Sequence, residues 1–198
     1  MDNNSPRFLE LQSGKQIAFY KTEGAEPTVV FFGGFKSDMT GTKAVAFEQW
    51  CQKHKRAFIR FDYSGHGQSS GNFESGTIGE WLDDALAVID QLTRGEIILV
   101  GSSMGGWLSL LATLARPERI QALITLACAT DFTQRLLMPM FSEGQKQQLQ
   151  SQGSVMIPCD YDDQQPYPIT LTLLEEGNHH LLLDGPIPIH CPVRLFHG

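Results

Sequence analysis

The sequence predicts an α/β chain built on a doubly wound, mostly parallel sheet, and three observations carry that expectation. Short apolar runs recur at TVVFF (28–32), AFIRF (57–61) and IILV (97–100). They read as strands buried on both faces, which is the pattern of a parallel sheet rather than of a half-exposed antiparallel one. Stretches with helical spacing separate them, so β and α alternate. The third run ends in GSSMG at 101–105, a turn crowded enough to need small residues beside its serine. A length of 198 residues with 41% hydrophobic content suits one domain with one core.

Taken in order, residues 8–11 and 17–20 flank Ser13-Gly14 and predict an opening hairpin. The strand at 28–32 runs into Gly33, Gly34 and Phe35, where two glycines let backbone approach a substrate closely. A helix is expected over 42–54, with Ala46, Phe47, Trp50 and Cys51 on one face. After the strand at 57–61, a glycine-punctuated loop, DYSGHGQSSG, leads to Thr77 and Glu80, spaced as a capping box. The helix they open extends to about Leu92, and its stripe of Ile78, Trp81, Leu82, Ala85, Ile89 and Leu92 makes Trp81 a core residue. Strand 97–100, a helix over 103–115 and strand 120–127 follow.

Composition then shifts. Residues 131–192 hold most of the prolines and an acidic knot at Asp160, Asp162 and Asp163. They predict a cap inserted above the sheet, against a core of 1–130 and 193–198. Within the cap, 145–150 and 169–183 are the helix candidates. The chain returns through VRLFHG at 193–198, a strand and the start of a loop.

A formal charge of −7 with no long basic run offers no footprint for nucleic acid. No apolar stretch reaches bilayer length, so no membrane span is expected. Cys51, Cys128, Cys159 and Cys191 are scattered without a C-x-x-C pair, which predicts reduced thiols and neither zinc nor disulfide. The opening MDNNSPRFLELQSG lacks a basic leader, and the expected location is cytoplasmic.

The chemistry concentrates at Ser103. Gly101, Ser103 and Gly105 spell G-x-S-x-G between a buried strand and a helix, and small Ser102 and Gly106 relieve the same crowding. The helix that follows aims free amides and partial positive charge at that point, with the Met104 amide as one oxyanion donor.

The six histidines also read structurally. His66 hydrogen-bonds within its glycine loop, and His54 sits at a helix C-terminus. His179 and His180 follow Glu175 and Glu176 at i,i+4 spacing, as helix-face partners rather than metal ligands. His190 and His197 bracket the last strand. Asp131 is a conceivable acid with no histidine to orient. No metal site and no cofactor is expected.

In this order the chain resembles the α/β-hydrolase fold serine hydrolases. It is most similar to the palmitoyl-protein thioesterase and acyl-glucuronide esterase family, through GGF at 33–35, GTKA at 41–44, RFDYSG at 60–65, VGSSMGGW at 100–107 and PIPIHCPVRLFHG at 186–198. The resemblance implies Ser103 as nucleophile and the amides of Phe35 and Met104 as the oxyanion hole, supported by Gly33, Gly34, Gly101 and Gly105. It implies hydrolysis of carboxylic esters or acyl thioesters, on small molecules or acylated proteins, through an acyl-enzyme. The family's acid and histidine fall beyond Gly198, so the chain is expected to be truncated after its seventh strand. A silent acyl-binding or interaction domain is the competing expectation.

Overall fold

A computed structural model describes residues 5–158 and 166–197. Seven strands form one sheet in the order β1-β2-β4-β3-β5-β6-β9. Strands β1 (Arg7–Glu10) and β2 (Gln16–Thr22) are the predicted hairpin, and β2 runs antiparallel to β4 (Arg56–Phe61). The rest is parallel: β3 (Ala25–Phe32) lies between β4 and β5 (Ile97–Ser102), followed by β6 (Ile120–Leu126) and β9 (Val193–Phe196). This is the α/β-hydrolase fold, and the seven strands read from the sequence are the seven of this sheet.

Helix α1 (Thr42–Lys53) lies on one face of the sheet. Helices α2 (Ile78–Leu92) and α3 (Met104–Ala115) pack on the other, over a core that includes Phe32, Ile59, Trp81, Leu99 and Trp107. Thr77 caps α2 by accepting from the Glu80 amide at 3.2 Å. The box stays half formed, because the Glu80 carboxylate takes the Lys15 ammonium instead of turning back to the cap.

In α1 the predicted face exists but is largely uncovered. Cys51 is buried, whereas Ala46 and Trp50 are exposed.

After β6, a π-helical turn, Thr133–Leu137, runs into the short α4 (Met138–Met140) and then α5 (Glu143–Gln152). Strands β7 (Ser154–Ile157) and β8 (Tyr167–Thr170) pair as a separate antiparallel hairpin, and α6 (Leu171–Gly177) follows at once. The single helix expected over 169–183 is therefore corrected. Ile169 is drawn into the hairpin opposite Val155, and Thr170 becomes the cap of a helix that gives way to a 3-10 turn at Asn178–His180. The acidic knot and Cys159 lie outside the described residues. Cys51, Cys128 and Cys191 are free thiols.

Candidate active site

The sheet reverses its winding at β3, whose neighbours β4 and β5 lie on opposite sides of it. Loops leaving the carboxyl ends of such strands diverge and open a crevice between them. Phe32 is in register with Gly101, so the loop after β3 and the turn after β5 leave the sheet side by side. A Cβ built on Gly34 would lie 3.4 Å from the Ser103 Cβ.

Ser103 has φ 55 and ψ −121, a region that residues with side chains rarely enter. Three backbone hydrogen bonds hold it there. Its N–H donates to Leu126 O at 3.0 Å, and its carbonyl accepts from Gly106 at 2.9 Å and Ala129 at 3.1 Å. The neighbouring glycines make this conformation possible. A Cβ on Gly105 would overlap the carbonyls of Phe32 and Gly33, one on Gly101 would strike the Gly105 carbonyl, and one on Gly106 the Cys128 sulfur. The motif is thus a packing requirement of α3 against β3 and β5.

Ser103 is half-buried, while Met104 behind it is fully buried. Among the described residues neither the Phe35 nor the Met104 amide donates a hydrogen bond. Met104 is the first residue of α3, where a backbone amide has no partner within the helix. The Phe35 ring is wedged among Phe73 (5.0 Å), Phe132 (5.5 Å), Trp81 (5.8 Å) and Tyr167 (5.8 Å), so four separate segments fix this loop.

Polar anchors that sequence reasoning missed lie in the loop after β4. Buried Asp62 accepts from the Met39 amide at 2.6 Å and the Gln68 amide at 2.8 Å, tying this loop to the one after β3. Burial raises its carboxyl pKa, with the two amides opposing the rise. Asp84 on α2 accepts from the Ser64 amide at 2.7 Å and the Ser64 hydroxyl at 3.1 Å, and burial pushes its pKa up to about 6. An aspartate directly after a buried strand, followed by punctuating glycines, was the available signal.

His54, His66 and His180 make the local contacts expected of them. His66 bonds within its loop, its Nδ1 3.2 Å from Ser64 O, and His54 caps α1 with Nδ1 2.7 Å from Trp50 O. His180 pairs with Glu176 at 2.6 Å, and that carboxylate also takes the Gly79 amide of α2. Among the described residues no histidine bonds to Ser103 and no metal-holding cluster occurs. Asp131 is buried, and its carboxylate receives the Leu182 and Leu183 amides, both at 2.9 Å. That is a loop anchor. A groove of about 310 Å³ lined by Arg7, Lys21, Glu23 and Glu26 lies at the opposite ends of the strands, away from Ser103.

The family described as serine aminopeptidase, S33, matches residues 24–157. The palmitoyl-protein thioesterase ABHD10, mitochondrial, of Bos taurus is 42% identical over 193 residues, covering 96% of this chain and 62% of the relative. The Rattus norvegicus protein of that name is 44% identical over 193 residues, covering 96% and 64%. The chain thus spans 62% to 64% of the length of these relatives. The structure of alpha/beta hydrolase domain-containing protein 10 from mouse superposes with a TM-score of 0.89 at 40% identity, covering 98% of this chain and 77% of that one. The relatives' names overturn the expectation of a cytoplasmic location, since they are mitochondrial. A compartment is addressed by signals separate from the folded core, and composition and core patterning do not carry it.

Proposed function

Because the chain belongs to the serine aminopeptidase S33 family of α/β hydrolases, we propose that it is a serine hydrolase that cleaves carboxylic esters or acyl thioesters through an acyl-enzyme on Ser103. The observation that carries this reading is the strained Ser103 turn with two free amides, Phe35 and Met104, beside it. In this mechanism Ser103 Oγ attacks the acyl carbon and the carbonyl oxygen becomes an oxyanion. The two amides stabilise it more strongly than the neutral carbonyl, which is what lowers the barrier. Collapse expels the alcohol or thiol, and water then releases the acid.

A histidine base and its acid partner come, in this reading, from the part of the relatives' length that these residues do not span. Acyl thioesters on proteins or small carriers are the favoured substrates, in line with relatives named as palmitoyl-protein thioesterases.

Residues 131–192 act as the cap over the site in this proposal. In support, Phe132 and Tyr167 touch the Phe35 ring and the Trp107 indole donates to His180 O at 3.1 Å, so described parts of this segment contact the loop after β3 and helix α3.

The test uses the whole protein, with whatever sequence flanks these residues in its gene. Fluorophosphonate labelling and turnover of p-nitrophenyl and acyl-thioester substrates should be serine-dependent. Ser103→Ala should lower kcat by about 10⁴-fold or more with the fold intact. Turnover surviving in that variant would remove Ser103 from the reaction.

A further inference from the structure

We propose that His66 is a positioning residue that aims the Phe35 amide at the site; the inference rests on the hydrolase reading above. The loop after β3 is a tight turn in which Ser37 N–H donates to Gly34 O at 3.1 Å. A peptide unit is planar and trans, so fixing the Gly34 carbonyl points the Phe35 N–H the opposite way, out of the turn. That plane can still rock unless the next one is held as well. The next peptide unit carries the Lys36 N–H, which donates to His66 Nε2 at 3.2 Å. Lys36 itself has φ 57, a left-handed conformation that a lysine does not adopt without outside support. His66 supplies that support.

Its partners leave the imidazole one state. Ser64 O, 3.2 Å from Nδ1, can only accept, and the Lys36 N–H can only donate. The proton is therefore on Nδ1, the lone pair on Nε2, and the ring is neutral. The ring is buried and packs edge-on against Phe73 (5.1 Å), Trp81 (5.1 Å) and Tyr63 (5.7 Å). Burial lowers its pKa and keeps the acceptor state populated. Phe73 and Trp81 are also two of the rings that grip Phe35, so one aromatic cluster locates both the acceptor and the loop it holds.

A histidine that merely filled this cluster would be replaceable by another ring. The experiment compares His66→Phe, which fills the space without an acceptor, with His66→Gln, whose amide oxygen reaches a similar distance and can accept. Both are made in the whole protein. With a p-nitrophenyl ester, the Phe variant should lose about 10²-fold in kcat with KM within about twofold, because a misaligned oxyanion donor acts on the transition state. The Gln variant should recover to within about tenfold of the parent. Hydrogen exchange at the Lys36 amide should quicken in the Phe variant only. Equal kcat in the Phe variant and the parent, or equal losses in Phe and Gln, would overturn the role of His66 while the hydrolase reading stands. If the parent itself turns over no ester or thioester, the hydrolase reading fails first and this inference with it. The Lys36 exchange rates would then still report whether the clamp exists.

Discussion

Ser103 combines φ 55 with ψ −121, and holding a residue with a side chain there costs about 1–3 kcal/mol. Ser103→Gly should therefore unfold at higher urea than Ser103→Ala, by roughly 1 kcal/mol, because only glycine relaxes at that φ. Equal midpoints would mean that the turn is unstrained. Asp84 makes the second prediction at this scale. Its folded pKa of about 6 lies above the ~3.9 of an unfolded aspartate, so the folded state binds its proton more tightly. The resulting stabilisation is fully present below about pH 4 and is lost as pH rises through about 6, with a magnitude on the order of 3 kcal/mol. Asp84→Asn keeps the shape and stays neutral, so its urea stability should change less than the parent's between pH 4 and 7. Parallel profiles would show that Asp84 titrates elsewhere. Ser103 and its glycines were legible in the sequence because backbone strain demands particular residue types nearby. Asp84 was not, because a carboxylate that clamps amides looks the same in sequence as a solvated one, and Asp62 was marked only by its place directly after a buried strand.

The elements follow the same division. Strands buried on both faces announce themselves as unbroken apolar runs, and α2 by a stripe that buries Ile78, Trp81, Ala85 and Ile89. The β7–β8 hairpin was missed because its pairing depends on a partner strand outside the local window, and the one mark dividing strand from helix is Thr170, the N-cap of α6. Gly105→Ala tests the packing of α3. The added methyl would strike the Phe32 and Gly33 carbonyls, both backbone, so β3 and α3 would have to part. A loss of about 2 kcal/mol or more in urea stability is expected, at the upper end of ordinary overpacking. A milder loss, near the cost of a surface change, would show that the helix can shift. Glu176 joins α6 to the start of α2 by accepting the Gly79 amide at 3.1 Å while paired with His180. Glu176→Leu should cost about 1 kcal/mol and raise amide exchange in α6 before the sheet responds. Uniform exchange through α6 and the sheet would mean that the two unfold together.

At the scale of the molecule the sheet is dressed unevenly. Among the described residues, one face carries α2 and α3, and the other carries α1 alone. Beside α1 an open apolar groove of about 440 Å³ is lined by Val29, Ala46, Phe47, Trp50, Cys51, Ile98, Val100 and Ile124. Trp50, which lines it, is 54% exposed. Apolar residues gathered in one groove differ from the single exposed leucines found on most surfaces, because they form a contiguous patch. Residues 1–198 expressed alone should therefore enhance the fluorescence of anilinonaphthalene sulfonate under native conditions and associate as concentration rises. Two substitutions separate this surface from partial unfolding. Ile124→Thr and Trp50→Gln leave the core around Trp81 and Trp107 untouched, so they should lower dye binding while the cooperative urea transition persists. If dye binding instead fell only when the urea transition was restored by added stabiliser, the exposed surface would belong to an unfolded fraction, and the groove would be closed in the folded chain.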